Sequence, residues 1–509
     1  MSFSKKSLSI GALAISLATI MFEARAAFVA QAQANQQPTP LRTDAKLAEI
    51  TARLERDVPA MMHEANVPGL SIALVRNGEI AWQHAFGVKD ATTKDPVSDN
   101  TVFEAASLSK PVFAYAVMKL VDAGKFDLDK PLNQYLPGDY DVGPDPRLGQ
   151  ITARRVLSHT TGFPNWRGAD PKLKIFFTPG EKFSYSGEGF VYLSKVVERV
   201  TGEQFNDFMK RMVFDPLGMT SSSYVWQSSY DTLKTSRHNA AGEPSAQFKA
   251  TKAGAASTLH TTAQDYARFV VALLKGTGLK KETRAAMLST QVKVDEAGTN
   301  MTSRPANKPS PEVSWGLGVG LQSTPDGISF WHWGDNGDAK AFFVAYERQK
   351  FGVVFFANAA NGLSFIRELI DESIGGRQPA LAWINYESYR SPGRTLQKSI
   401  LANGAESALR DYRKWRIGRP ESEAISEKQM NSLGYDLLYG LKRVKDAIEV
   451  FKLNVEDYPQ SANVYDSLAE AYAVDGNKGL AITNYQRSIE LDPGNANGVA
   501  RLKKLQEDH

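Results

Sequence analysis

Hydrophobic residues follow two periodicities along this chain, and each predicts a different kind of element. Nearly continuous apolar segments at Gly69–Val75 and Ile80–Gly87 flank Arg76, Asn77 and Gly78, which predicts a β-hairpin. Later segments of the same kind predict further strands at Trp315–Gln322, Ile328–Gly334, Lys340–Glu347 and Gly352–Asn358. Apolar residues at helical spacing predict helices at Asp44–Pro59, Lys110–Ala123, Gly189–Thr201, Phe205–Val213 and Thr262–Leu274. This order predicts an α+β domain over residues 44–385, an antiparallel sheet flanked by helices with a helical insertion.

A different pattern begins after residue 390. Several positions recur one tetratricopeptide period of 34 residues later, with Ala447, Phe451 and Pro459 returning as Ala481, Tyr485 and Pro493. Residues 426–509 are therefore predicted to form tetratricopeptide-like α-helical repeats that end in a capping helix, Ala496–Leu505. Helical patterns at Thr395–Ala402 and Glu406–Trp415 make residues 386–425 either a helical linker or a degenerate repeat. Such repeats present a surface to a peptide or protein partner, or they pack on the preceding domain or mediate self-association.

The N-terminal residues have the composition of an export signal. Lys5 and Lys6 precede an apolar stretch, Leu8–Phe22, and residues 24–26 supply the small residues of a cleavage site. The stretch is shorter than the roughly 20 residues that span a bilayer, which argues against a membrane anchor. The sequence predicts a signal peptide at 1–26, a linker at 27–43, and a bacterial protein that is periplasmic or secreted, with no integral membrane segment after cleavage.

Composition and missing motifs exclude several chemistries. With no cysteine among 509 residues, the chain has neither a thiol nucleophile nor cysteine ligands for zinc, and no disulfide supports its core. The formal net charge of +4 is small for this length, and no basic stripe is interleaved with aromatic residues, so nucleic acid is not an expected partner. Neither HExxH nor GxSxG occurs, and no cofactor or metal is predicted.

The candidate chemistry lies in three motifs, Ser107-Leu108-Ser109-Lys110, Tyr185-Ser186-Gly187 and His332-Trp333-Gly334. Residues three apart on a helix share a face, so the Lys110 amine can reach back to the Ser107 hydroxyl. A serine becomes nucleophilic when a neighbour takes its proton, and a lysine does so only where its pKa is lowered. Tyr185 supplies a phenol that can carry a proton between nucleophile and leaving group. The predicted strand Ile328–Gly334 offers an edge that could bind a substrate backbone and complete an oxyanion hole.

Together with Leu157–Pro164, Pro179–Tyr185, Pro216–Met219 and Trp315–Gly318, these motifs resemble the serine β-lactamase and penicillin-binding protein superfamily. The resemblance runs over roughly residues 45–380, in the same order along the chain. Within this superfamily, the sequence resembles the branch that holds class C β-lactamases, D-alanyl-D-alanine carboxypeptidases, D-aminopeptidases and family VIII carboxylesterases.

The resemblance implies a role for each motif residue. Ser107 would be the nucleophile, Lys110 its proton partner, and Tyr185 the general base or proton relay. His332 would stand in place of the superfamily's lysine, although it could also be a packed histidine without a chemical role. The backbone N–H groups of Ser107 and Asp335 would form the oxyanion hole.

The other motif positions are expected to form the substrate-binding surface or to support it. Gly334 belongs to the strand edge, and Trp333 lines either the cleft or the core. Gly187 departs from the branch, since class C β-lactamases carry an asparagine there whose amide holds the acyl side chain of the substrate. This glycine and the weakly basic His332 weigh against efficient β-lactam hydrolysis. His159 is expected to hold the following loop, Thr160–Pro164, by hydrogen bonds.

The sequence thus predicts an exported serine hydrolase that forms an acyl-enzyme on Ser107 and acts on peptides, amides or carboxylic esters. Its partners would be a small-molecule or peptide substrate and, through the repeats, a protein or a second copy of the chain. The nearer alternative is a β-lactamase or D-alanyl-D-alanine carboxypeptidase. An alternative of another class is a non-catalytic protein that binds peptidoglycan or a partner.

Overall fold

The computed structural model describes residues 39–138, 140–168 and 172–507. The chain divides into a larger compact unit, Pro38–Tyr386, and a smaller one that includes Glu387–His509. The predicted signal peptide, residues 1–26, and most of the predicted linker lie outside the described residues. Among the residues that are described, no helix is both long and apolar enough to cross a membrane.

The larger unit contains an eight-stranded sheet and two short strand pairs. Strands β1 to β12 are Gly69–Arg76, Glu79–Gly87, Phe103–Glu104, Arg237–His238, Pro244–Ser245, His260–Thr261, Val292–Asp295, Pro309–Trp315, Gly320–Thr324, Gly327–Asp335, Lys340–Tyr346 and Phe351–Ala357. The order of the eight strands in the sheet is β2-β1-β12-β11-β10-β9-β8-β7. Neighbouring strands of this sheet are antiparallel throughout. The short strands β3 and β6 pair with each other, as do β4 and β5. The hairpin β1–β2, which comes first along the chain, therefore pairs with β12, the last strand along the chain.

Helices of the larger unit supply the rest of its core. Helices α1 to α11 are Leu47–Ala65, Ser109–Asp122, Ala153–Leu157, Gly187–Thr201, Phe205–Met209, Asp215–Leu217, Tyr230–Leu233, Ala263–Lys275, Lys281–Met287, Ile366–Glu372 and Pro379–Ile384. Helix α2 is buried on nearly every face, including Lys110 near its start. A helix that is apolar all round belongs in a core, and α2 packs in one cluster with α4, α8 and the sheet.

One predicted strand is wrong. The segment Trp315–Gln322 is not a single strand, because β8 ends at Trp315 and β9 begins at Gly320. Between them the Gly316 N–H donates to the Val319 carbonyl at 2.9 Å, and Gly318 has a φ of +86°. A Cβ at Gly318 would lie 2.2 Å from the Ala114 Cβ of α2. The glycines thus make a tight turn against the buried helix, where the sequence suggested an unbroken strand.

Other predicted elements differ at their ends. Helix α1 starts later than predicted and continues through Pro59 to Ala65. The predicted helix Phe205–Val213 is α-helical only to Met209, and Lys210–Phe214 form a π-helical turn. Strand β7, a short edge strand, was not predicted. The predicted class is nevertheless confirmed: an α+β domain with an antiparallel sheet flanked by helices, followed by a helical region.

The smaller unit is helical in its described part. Helices α12 to α18 are Pro392–Asn403, Ala405–Arg416, Glu427–Tyr435, Val444–Asp457, Ala462–Val474, Lys478–Leu491 and Ala496–Glu507. Helix α14 was not predicted; it starts with a capping box between Ser426 and Gln429. The repeated positions Ala447 and Ala481 are both fully buried in a core of this unit's own residues. The assignment to the tetratricopeptide class stays a prediction.

Candidate active site

Ser107 lies in a strained turn between strand β3 and helix α2. The preceding residue, Ala106, has a φ of +48°, which a residue with a side chain rarely adopts, and Ala106–Leu108 form a single 3-10 turn. The chain continues from this turn into α2, which begins at Ser109, so the Ser107 N–H precedes the helix and has no acceptor within it. Ser107 is partly exposed, whereas its neighbours are buried. The turn thus presents one hydroxyl and one backbone donor at the protein surface.

Lys110 contacts Ser107 as the spacing predicted. Its Nζ lies 3.0 Å from Ser107 Oγ and donates to the Ala256 carbonyl at 2.7 Å. The side chain is fully buried, and among the described residues no carboxylate lies within 4.0 Å of it. Burial lowers the pKa of Lys110 from 10.5 to about 7. Near neutral pH this amine is therefore partly uncharged and able to accept the serine proton.

Tyr185 lies under the same amine. Lys110 Nζ is 4.8 Å from the centre of its ring, and its hydroxyl is buried with no hydrogen-bond partner of good geometry among the described residues. Burial raises the pKa of Tyr185 well above 10, although the nearby Ser107 hydroxyl acts in the opposite direction. The phenol is therefore a protonated group at neutral pH, next to the serine and the lysine.

His159 holds the tyrosine in place. Its ring stacks on the Tyr185 ring at 4.2 Å between centres, and its Nδ1 accepts the Ser186 N–H at 2.9 Å. Burial and the nearby Lys110 lower the pKa of His159 well below 6.5, so it is neutral. The side chain therefore secures the Tyr185 motif, and not the Thr160–Pro164 loop that the sequence suggested.

His332 is a buried, neutral imidazole. Its Nδ1–H donates to the Trp333 carbonyl at 2.7 Å, which leaves Nε2 as an acceptor without a partner in the described part of the chain. Burial and the charge of Lys110 lower the pKa of His332 to about 3. Its ring centre lies 6.0 Å from that of Tyr185. The group therefore stands beside the serine, lysine and tyrosine without adding a charge.

The strand that carries His332 has one open edge. Pairing of β10 with β9 ends at Trp331 and Gly320, so residues 332–335 have a partner strand only on the β11 side. The Asn336 N–H donates to the Ala339 carbonyl, and backbone groups alternate in direction along an antiparallel ladder. The N–H of Asp335 therefore points toward the open edge.

The open strand lies against the nucleophile turn. A Cβ at Gly334 would lie 2.4 Å from the Ala105 carbonyl and 3.2 Å from the Ala106 Cβ, so only glycine allows this approach. Trp333 is almost fully buried, with its ring 4.8 Å from the Tyr185 ring, and it belongs more to the wall behind Tyr185 than to an open cleft. The structure thus brings together all three motifs that the sequence singled out.

Gly187 is enclosed by a loop. Its N–H lies 3.0 Å from both the backbone carbonyl and the side-chain oxygen of Asn165. A Cβ at Gly187 would lie 2.8 Å from the Asn165 carbonyl and 3.0 Å from the ring of Trp166, which is 50% exposed. Arg167 fixes the same loop by an ion pair to Glu188 at 2.9 Å. An aromatic ring therefore covers the position where the related enzymes carry an asparagine side chain.

Several contributing groups had no signal in the sequence. Glu104 is buried behind the nucleophile turn with Lys234 and Arg237; burial raises its pKa, but these two cations outweigh burial and lower it to about 2. Asn336 donates to Glu104 at 3.3 Å and so connects the end of β10 to this ion pair. The Ala256 carbonyl is a backbone group, which no motif could reveal. In residues 39–138, 140–168 and 172–507, no three His, Asp or Glu side chains assemble into a metal site.

The fold of the larger unit is that of the serine β-lactamase and penicillin-binding protein superfamily, and Ser107, Lys110 and Tyr185 lie together in it. The Beta-lactamase family model matches residues 54–371, more than half of the chain, and the protein belongs to this family. The superfamily resemblance predicted from the motifs is thereby confirmed.

Individual relatives cover parts of the chain. Penicillin-binding protein 4* of Bacillus subtilis (strain 168) is 30% identical over 173 residues, 30% of this chain and 37% of the relative. Esterase EstB of Burkholderia gladioli is 30% identical over 220 residues, 38% of this chain and 55% of the relative. The matches thus span about a third to a half of these relatives. The octameric penicillin-binding protein homologue from Pyrococcus abyssi has the same fold, with a TM-score of 0.54 and 20% identity over 69% of this chain and 82% of that one.

Proposed function

We propose that this protein is an exported serine hydrolase that forms an acyl-enzyme on Ser107 and cleaves carboxylic esters or peptide-like amides. The observation that carries the proposal is the 3.0 Å contact between Ser107 Oγ and a fully buried lysine with a pKa of about 7. An ammonium ion is costly to bury without a carboxylate beside it, so a lysine at this position lowers the stability of the fold. This cost has a chemical purpose if the neutral amine is the base that takes the Ser107 proton.

The proposed reaction begins with proton transfer. The neutral Lys110 amine takes the proton of Ser107 as Oγ attacks the substrate carbonyl carbon. The negative charge that develops on the carbonyl oxygen is stabilised by the N–H groups of Ser107 and Asp335. Collapse of the tetrahedral intermediate breaks the bond to the leaving group, which receives a proton. Water then attacks the acyl-enzyme with the same groups in the same roles, releasing the acid and restoring Ser107.

Tyr185 acts as a proton relay in this scheme. Its raised pKa makes it a poor base for Ser107, since the phenolate is disfavoured by burial. As a protonated hydroxyl beside Lys110, it can pass a proton to the leaving group while it takes one from the lysine. Of the two roles that the resemblance allowed, general base or relay, the geometry supports the relay.

The preference for esters or neutral amides rests on charge. His332 has a pKa of about 3 and cannot pair with a β-lactam or C-terminal carboxylate as an ammonium would. The resemblance to an esterase over 38% of the chain supports the same preference. A β-lactamase or carboxypeptidase is the second candidate, since the fold is shared with a penicillin-binding protein homologue. The repeats are proposed to bind a protein partner or a second copy.

The test is covalent labelling followed by a substrate comparison. A fluorophosphonate should add one label to the protein, and peptide mapping should place it on Ser107, with Ser107→Ala as the unlabelled control. With p-nitrophenyl esters, D- and L-aminoacyl anilides and nitrocefin, kcat/KM for the best ester or anilide should exceed that for nitrocefin at least about 100-fold. That ratio corresponds to roughly 3 kcal/mol of missing charge-assisted contact. Labelling at another serine would refute the acyl-enzyme, and equal turnover of nitrocefin would favour the second candidate.

A further inference from the structure

The carboxylate of Asp335 is held by three donors at the open end of β10. Tyr386 Oη donates to its Oδ2 at 2.5 Å, and the Gly337 N–H donates to its Oδ1 at 2.8 Å. Lys340 forms an ion pair with the same Oδ1, and its side chain is only 7% exposed. The side chain of Asp335 is therefore fixed from two sides.

The backbone of Asp335 is the part that matters for the proposed reaction. Its N–H points toward the open edge, and the preceding Gly334 is pressed against the Ala105 carbonyl. The following residue, Asn336, donates to Glu104 and to the Ser257 carbonyl. Both peptide planes that flank Asp335 are thus restrained, and its own side chain supplies the remaining restraint.

The end of helix α11 brings Tyr386 to Asp335. Trp383 Nε1 donates to the Asp295 carbonyl at 2.8 Å, which anchors the helix on strand β7. Asn385 then adopts a left-handed conformation with a φ of 50° and ends the helix, so the chain turns. Tyr386 comes next and is the last residue of the larger unit. Burial and the Asp335 carboxylate raise the pKa of its hydroxyl, so it remains a donor.

We propose that Tyr386 is a positioning residue that holds the Asp335 carboxylate and thereby orients the Asp335 N–H toward the oxyanion. The inference rests on the proposed acyl-enzyme function. The Tyr386 hydroxyl bonds to the Asp335 carboxylate, so in this proposal it acts through Asp335. Because a charge-assisted O–H···O⁻ bond is short and directional, its loss lets the end of β10 adjust while the rest of the strand stays paired.

The test compares Tyr386→Phe with wild type in the full-length chain. The kcat for the best ester should fall about 10- to 100-fold, which is no more than the decrease in kcat expected when an oxyanion-hole donor is removed. The KM should stay within about twofold of the wild-type value. A boronic acid that mimics the tetrahedral intermediate should bind more weakly by the same factor as kcat/KM falls. Tyr346→Phe removes a buried tyrosine hydroxyl of the neighbouring strand that bonds to Gln378, and it should leave kcat unchanged.

A double-mutant cycle separates positioning from a general loss of stability. Asp335→Asn keeps the backbone N–H and should reproduce the kcat loss, and the double variant with Tyr386→Phe should lose no more than either single variant. Additive losses would overturn the proposal, and so would a Tyr386→Phe enzyme with wild-type kcat and wild-type boronate affinity. Failure of wild-type Ser107 to be acylated at all would instead refute the proposed function, so the two failures are distinguishable.

Discussion

The lowered pKa of Lys110 predicts how activity depends on pH. Burial lowers this pKa from 10.5 to about 7, a difference of about 5 kcal/mol in favour of the neutral amine. At pH 7 about half of the molecules then carry a neutral lysine, against roughly one in 3,000 for an exposed side chain. At pH 5 the neutral fraction is about 1%. If this amine is the base, kcat/KM should rise about tenfold per pH unit up to pH 7 and then level off.

The assay is hydrolysis of a neutral p-nitrophenyl ester from pH 5 to 9, corrected for spontaneous hydrolysis. Such an ester has no ionisable group, so an inflection in kcat/KM belongs to the free enzyme. The site histidines do not compete for the assignment, because the pKa of His332 is lowered to about 3 and that of His159 well below 6.5. The rate of Ser107 labelling by a fluorophosphonate should show the same inflection, which ties it to the acylation step.

Two results would refute this reasoning. A profile that keeps rising to pH 10 would mean that Lys110 remains an ammonium at neutral pH, and that burial does not set its pKa. An inflection near pH 7 that survives in Lys110→Ala would mean that another group is responsible. A profile with its inflection near 7 in wild type and none in the variant supports the assignment.

Three further predictions concern stability, proton transfer and domain independence. Lys110→Met should raise the free energy of unfolding at pH 7 by about 2 kcal/mol. Burial of the amine destabilises the folded state by about 4 kcal/mol at this pH, and each of its two hydrogen bonds stabilises it by about 1 kcal/mol. The pKa of Lys110 is lower in the folded state than in the unfolded state, so the free energy of unfolding of the wild type should rise from pH 7 to 10.5. The stability advantage of Lys110→Met should shrink over the same range, as measured by urea unfolding. A difference between variant and wild type that stays constant from pH 7 to 10.5 would contradict the lowered pKa. Tyr185→Phe should lower kcat at least about 100-fold with an unchanged melting temperature, and near-normal turnover would remove the relay. A chain that ends at Arg390 should remain soluble and hydrolyse the ester, because the two units have separate hydrophobic cores; insoluble protein would show that they depend on each other.

The enclosure of Gly187 limits how β-lactam hydrolysis could be introduced by substitution. An asparagine at position 187 would be the direct way to supply the amide that class C enzymes use. A side chain there would collide with the Asn165 carbonyl and the Trp166 ring, so Gly187→Asn cannot act without moving the loop. Gly187→Ala should already destabilise the fold, and it is a sharper test of the enclosure than the larger substitution.

Local sequence information was enough for most of the helices and strands of the larger unit and for the contact between Ser107 and Lys110. The 3-10 turn that holds Ser107 continues into the helix that holds Lys110, so these residues, three apart, lie on one side of the segment and come within 3.0 Å. The turn at Gly318 was missed because its cause is distant: Ala114 of α2 presses on the glycine from another part of the chain. Apolar residues mixed with glycine look the same in a strand and in such a turn.

The electrostatic character of the site could not be predicted in the same way. The pKa of Lys110 depends on complete burial, which is a property of the assembled core, and the neutral state of His332 depends on Lys110 as well as on burial. Tyr386 lies far along the chain from Asp335, and no motif connects the two. Motif spacing therefore points to the proposed reacting groups, whereas tertiary packing determines their protonation and the residues that support them.

The order of strands in the sheet also determines when this domain can fold during synthesis. Strand β1 pairs with β12, in a register that joins Val75 to Gly352, so its partner is made about 280 residues later. At roughly 5–20 residues per second, a ribosome needs on the order of 15–55 s to cover that distance. Throughout this interval the nascent β1–β2 hairpin has an unpaired edge, and α2 lacks the sheet that covers it. A chain released before Ala357 therefore lacks part of the strand that pairs with β1.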